Sequence, residues 1–127
     1  LHFLPPMEVN LEPWIEAGGV YGNDLKTAHA ADLEYLCPAP LDDDLVDELN
    51  WLAAAVFRVT GALDVSRIDF RLDVNDNFKP YILEINPLPG LMPKLSDIVI
   101  EAEADSISHT ELVNMILNTA LNRYGMI

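Results

Sequence analysis

The chain is 127 residues long, enough for one domain with its own core. Half of it is apolar, and 21 acidic against 7 basic residues give a formal charge of −14, which argues strongly against a nucleic-acid partner, since such proteins need a basic footprint. The single cysteine, Cys37, excludes an internal disulfide and fits a reducing cytoplasm; no apolar run approaches the ~20 residues that span a bilayer, so no membrane partner is expected.

Leu1 to Pro6 lack the basic start and the long apolar stretch of a signal peptide. The sequence opens without methionine, which leads us to expect further sequence upstream. Met7 to Trp14 alternate loosely, as a strand would, and residues 15–40 read mostly as loop because Gly, Asn, Asp, Pro and Ala dominate. Asp42-Asp43-Asp44 reads as a helix start, with acids at the positive end of the helix dipole, in preference to a metal site. Leu45, Leu49, Leu52, Val56 and Val59 follow at helical spacing, and Gly61 supplies a stop.

Val65 to Asp73 and Tyr81 to Asn86 each alternate at period two, and the turn-forming stretch Val74-Asn75-Asp76-Asn77-Phe78 separates them. Pro87, Pro89 and Gly90 end the second strand. A short helix is expected over Ser96 to Ala104. Ser108-His109-Thr110-Glu111 is a capping box opening a helix that runs to about Arg123, with Gly125 at its end. Val113, Ile116, Leu117, Ala120 and Leu121 form its expected core stripe, and Trp14 and Trp51 are expected in the core or an interface. Strand, loop, helix, hairpin, helix, helix is an α+β order, not a repeating βαβ unit.

The hairpin carries the chemistry. Ile68, Phe70 and Leu72 alternate with Arg67, Asp69 and Arg71; Tyr81, Leu83 and Ile85 alternate with Glu84 and Asn86. A turn centred on Asp76-Asn77 pairs Asp69 with Glu84, Arg67 with Asn86, Phe70 with Leu83 and Ile68 with Ile85; a slip of two residues would keep the faces and change the partners. Two carboxylates placed opposite each other, Cβ atoms ~5 Å apart, repel unless something compensates. A divalent cation held by Asp69, Glu84 and Asn86 would do so, as would protonation of one carboxylate or a salt-bridge ladder of Arg67, Asp69, Arg71 and Glu84; spacing alone does not separate the metal site from the ladder. A calcium loop from Asp73 to Glu84 is rejected, because Phe78 stands where its sharp turn needs glycine, Pro80 interrupts it, and its flanks alternate like strands.

Ser66-Arg67-Ile68-Asp69-Phe70, followed by Tyr81-Ile82-Leu83-Glu84-Ile85-Asn86-Pro87-Leu88-Pro89-Gly90, resembles the carboxy-terminal signature of ATP-grasp ligases, closest to the D-alanine–D-alanine ligase group. Tyr35-Leu36-Cys37-Pro38-Ala39 is similar to that group's Y-x-C-P-A segment, and Val20 to Lys26 to its Y-D-Y-x-x-K loop, with Gly22 and Asn23 as departures. The resemblance runs from about residue 5 to the end.

It implies the carboxy-terminal lobe of an ATP-grasp fold, an antiparallel sheet packed with helices, and an ATP-dependent carboxylate–amine ligase. Asp69, Glu84 and Asn86 would bind two magnesium ions, Glu84 bridging, with manganese as a substitute. Arg67 and the Gly90 N–H would hold the oxyanion of the tetrahedral intermediate, Lys26 would touch the ATP phosphates, and Ser96 would help bind the second substrate's carboxylate. Amino acids, as small-molecule substrates, would be its partners, and the full-length protein is a candidate homodimer. Thr27 stands where the group commonly carries a tyrosine, which leaves the substrate pair open. The glycine-rich lid, the adenine-binding segment and the amino-terminal domain are not visible in these residues, so the 127 residues alone are expected not to catalyse. A non-catalytic binding module built on the same fold is the alternative. His2, His29 and His109 are expected at the surface or in loops, and Cys37 is expected to be structural.

Overall fold

A computed structural model describes residues 1–11 and 34–127. The described elements are β1 (Glu8–Asn10), β2 (Glu34–Leu36), α1 (Asp43–Val59), β3 (Arg67–Asp73), β4 (Lys79–Asn86), α2 (Asp97–Ala104) and α3 (His109–Arg123). They make two antiparallel two-stranded sheets, β1 with β2 and β3 with β4, so the α+β reading holds. The expected strand at Met7 is shorter than its alternation suggested. Its partner β2 lies in a stretch read as loop: three residues, Glu34-Tyr35-Leu36, were too few to stand out from their Pro- and Ala-rich surroundings. Trp14, Lys26, Thr27 and His29 lie outside the described residues.

Helix α1 starts as its acids require. The Asp42 carboxylate accepts from Leu45 N–H at 2.8 Å, and Asp43 and Asp44 fill the first turn. Leu49 and Ala54 are its buried residues, while Val59, at 88 % exposure, has left the core side. Trp51 is exposed as well, which removes the core reading for that residue. Helix α3 carries the full capping box of Ser108 and Glu111.

The core sits between α2 and α3: Ile98, Val99, Ala102 and Leu112 are buried, and Leu4, Val65, Leu91, Ile107 and Ile116 pack against them. The expected α3 stripe is therefore corrected. Leu112 and Ile116, one turn apart, face α2, whereas Val113 and Leu117 lie one position round the helix and are exposed. At the far end of α3, Arg123 donates to the Asp64 carboxylate from Nε at 3.0 Å and from Nη2 at 2.6 Å, tying the helix to the loop before β3.

The β3–β4 pairing positions the site. Its base has the expected register, Arg67 with Asn86, Ile68 with Ile85 and Asp69 with Glu84. Beyond Asp69 the register shifts by one residue, so Phe70 pairs with Ile82, not Leu83, and Arg71 with Tyr81. Leu83 is the extra residue of a bulge and is 62 % exposed. The consecutive apolar residues Tyr81-Ile82-Leu83 hide this shift, because any of them could continue the alternation. At the tip, Val74–Asp76 form a 3-10 turn, and Asn77 and Phe78 both take positive φ (52° and 59°), so β4 begins at Lys79, two residues earlier than expected.

Candidate functional site

Three of the expected residues, Asp69, Glu84 and Asn86, meet Arg67 at the open end of the hairpin. Strand alternation puts Arg67 and Asp69 on one face of β3, and the antiparallel register brings Glu84 and Asn86 opposite them. The Arg67 guanidinium donates to Asp69 through two parallel bonds, Nε to Oδ1 at 2.7 Å and Nη2 to Oδ2 at 2.9 Å. Nη2 also lies 3.8 Å from Glu84 Oε1, and Asn86 Nδ2 donates to the same oxygen at 3.1 Å. Part of the salt-bridge ladder is thus real: one arginine relieves the repulsion between the two carboxylates.

Two acids that the sequence reading passed over complete the cluster. Asp97, the first residue of α2, is buried, and its Oδ2 lies 3.1 Å from Arg67 Nη1. Glu101 stands one turn along the same helix, partly buried. Its carboxyl is pushed up to about 8, chiefly by burial and then by the Asp97 charge, with Arg67 pulling in the opposite direction. The signal for both was faint. An acid at a helix start reads as a dipole partner, and only the spacing of four residues from Asp97 to Glu101 puts the second acid on the same side.

Gly90 and Ser96 form the adjoining wall. Ser96 Oγ accepts from Met92 N–H at 2.8 Å. It lies so close to Gly90 that a side chain there would collide with it, a Cβ falling 2.9 Å from Oγ. Ser96 precedes Asp97 directly, so the start of α2 links the Gly90 turn to Arg67. His109 also supports this wall: its Nε2 lies 2.7 Å from the Leu91 carbonyl, which can only accept, so Nε2 carries the proton. The surface reading of His109 is replaced by this partly buried contact, while His2 sits exposed 3.4 Å from Asp105. The Cys37 thiol faces the Pro5 and Pro6 carbonyls at 3.8 Å each, and burial followed by the Glu101 charge pushes it up to about 11. Such a thiol stays protonated, consistent with a structural role.

Two carboxylates and an amide side chain are hard oxygen donors of the kind magnesium takes, alongside phosphate oxygens. Among the described residues no three His, Cys, Asp or Glu side chains cluster in a way that would hold a metal without such help. The donor set therefore fits an ion shared with a substrate phosphate better than a closed protein cage.

Residues 6–118 match the family model described as "D-ala D-ala ligase C-terminus". This chain belongs to that family. A D-alanine–D-alanine ligase of Herminiimonas arsenicoxydans is 37% identical over 89 residues, covering 70% of this chain and 26% of the relative. The D-alanine–D-alanine ligase of Bordetella petrii is 34% identical over 119 residues, 94% of this chain and 34% of the relative. An uncharacterized protein of Sinorhizobium fredii is similar too, 38% identical over 88 residues, 69% of this chain and 25% of the relative. The chain spans about a quarter to a third of the length of these relatives. Among the described residues no helix is long and apolar enough to cross a membrane.

Proposed function

We propose that the chain is one lobe of an ATP-dependent carboxylate–amine ligase, which joins two amino acids through an acyl phosphate in the cytoplasm. The observation that carries this is the open end of the hairpin, where Arg67, Asp69, Glu84 and Asn86 meet beside the Gly90–Ser96 wall, in a chain of this family.

The reaction has two stages. A substrate carboxylate oxygen takes the γ-phosphoryl group of ATP and ADP leaves; the amine of a second substrate then attacks the acyl carbon, loses a proton and expels phosphate. Negative charge gathers on the phosphoryl group first and on the tetrahedral oxygen second, so fixed positive groups speed both. Asp69, Glu84 and Asn86 would hold two magnesium ions, which when bound would neutralise the negative charge of the phosphates. Arg67, on the same face, would stabilise the oxyanion together with the Gly90 N–H. Ser96 would receive the second substrate's carboxylate, and Lys26 would touch the ATP phosphates.

The substrate pair is an open part of the proposal. D-alanine for both positions follows the relatives' names, and a dipeptide for cell-wall synthesis is the product we infer; Thr27 favours testing other amino acids beside it.

Phosphate release by the full-length protein, measured with ATP, magnesium and a panel of amino-acid pairs, tests the reading. Asp69→Asn and Glu84→Gln are each expected to lower turnover about 100-fold or more, because each removes a charge that the phosphoryl transfer needs. Turnover unchanged by both would leave the non-catalytic module as the better account. The isolated 127 residues are expected to release no phosphate, since they supply one wall of the nucleotide site.

A further inference from the structure

The guanidinium of Arg67 is held on two different edges. Nε and Nη2 face Asp69, whereas Nη1 faces Asp97 at 3.1 Å. These two carboxylates have different environments and different prospects. Asp69 lies on the hairpin face with Glu84 and Asn86, where a cation would compete for its oxygens. Asp97 is 8% exposed, sits behind that face at the start of α2, and is anchored in a helix whose next residues, Ile98 and Val99, are in the core.

An arginine whose only firm partner were Asp69 would lose that partner whenever Asp69 turned to a cation. A long side chain released in this way samples many rotamers, and displacements of about 1 Å near reacting atoms cost about 100-fold in rate. We propose that Asp97 is a positioning residue for Arg67: it keeps the Nη1 edge fixed from the core side, so that the guanidinium stays at the reacting centre while Asp69 engages a cation. This rests on the ligase reading above, in which Arg67 meets the oxyanion. Asp97 itself touches none of the reacting groups in this assignment. Its effect on rate passes through Arg67, and its buried seat on α2 connects the catalytic face to the core formed with α3.

The test uses the full-length protein and separates the inference from the reading beneath it. Nitrogen NMR of the arginine side chains, with the Arg67 signals identified by their loss in Arg67→Lys, reports rotation about the Cζ–Nη bonds. Arg67 is expected to keep a slowly rotating, protected Nη1 group after magnesium and a non-hydrolysable ATP analogue are added; freely averaged Nη signals in that state would overturn the proposal. Asp97→Asn is expected to lower kcat about 10- to 100-fold with KM for ATP changed less than about threefold, and to release the Nη1 signal. Introducing Asp97→Asn into Arg67→Lys is expected to produce little further loss, since the two act through one contact. Independent, multiplying losses would overturn the proposal, as would a normal kcat in Asp97→Asn alongside a crippled Arg67→Ala. If Arg67→Ala itself turned over normally, both the oxyanion assignment and the role of Asp97 would fall. Because the magnesium-dependent NMR measurement uses the unmutated protein, it decides the matter even if Asp97→Asn does not fold.

Discussion

Gly90 and Ser96 share a space that holds only one side chain: a Cβ built on Gly90 lies 2.9 Å from Ser96 Oγ and 3.6 Å from Ser96 Cβ. The glycine was expected here because a backbone N–H must come close to substrate. The structure adds a neighbour that needs the same space. Gly90→Ala is expected to rotate Ser96 Oγ away and break its bond from Met92 N–H, at a cost of about 1 kcal/mol in stability. Turnover should fall more than this stability loss suggests, because the Gly90 N–H and Ser96 both belong to the proposed site. Thermal unfolding and steady-state kinetics of the full-length variant, measured side by side, check the two parts separately.

Arg67 and a cation make opposite demands on Asp69. With Arg67 bonded to both Asp69 oxygens, removal of its positive charge is expected to tighten magnesium binding several-fold. The same substitution, Arg67→Ala, is expected to cut turnover about 100-fold or more through loss of the proposed oxyanion partner. Calorimetric titration of magnesium beside the rate assay checks this. Weaker binding together with the lower rate would show that Arg67 supports the proposed magnesium ligands in place of competing for Asp69.

Glu101 makes stability depend on pH. Its carboxyl is pushed from 4.5 in the unfolded reference to about 8 in the fold. Between these values the folded state holds a proton that the unfolded state has released, so the contribution is full below about 4.5 and is lost as pH rises through about 8. The loss is on the order of a few kcal/mol. Glu101→Gln keeps the shape without the ionisation, and its urea midpoint in chelator should fall less than that of the parent between pH 5 and 8. Parallel pH profiles would count against this account.

Asp64 gives the reverse sign. Its hydrogen bonds from Arg123 hold its carboxyl below the usual range, so its contribution is present above the ordinary carboxylate pKa and is lost as pH falls through the lowered value. Asp64→Asn is expected to lower the unfolding temperature at neutral pH and to have a diminishing effect in strong acid. Unfolding scans at pH 7 and pH 2.5 check the convergence.

The cap of α3 offers a plainer measurement. Ser108 Oγ accepts from Glu111 N–H at 3.2 Å, and Glu111 Oε2 accepts from Ser108 N–H at 2.8 Å. Ser108→Ala is expected to cost about 1 kcal/mol, readable as a shift of the denaturation midpoint without change of slope.

Much of this organisation was legible in the residues because polar and apolar positions alternate cleanly where it matters. Arg67-Ile68-Asp69 and Glu84-Ile85-Asn86 admit only one assignment of faces, and the base pairing follows from it. Tyr81-Ile82-Leu83 carries no such alternation, so the bulge was hidden. Ser108 and Glu111 announced α3, but its buried side depends on where α2 lies, a relationship between distant residues that periodicity does not contain. For the same reason Asp97 and Glu101 looked like ordinary helix acids: only the fold brings them beside Arg67. The hairpin motif was specific enough to suggest the family, and the match over residues 6–118 shows it.

The bulge at Leu83 divides the hairpin into two lengths of sheet with separate registers. The extra residue on β4, between the tip and Glu84, is taken up there, like an expansion joint. Changes in the tip, residues 74–78, are therefore expected to disturb the pairing of Asp69 with Glu84 less than they disturb the pairing beyond the bulge. The tip is then the natural place on this chain to attach a probe or a tag.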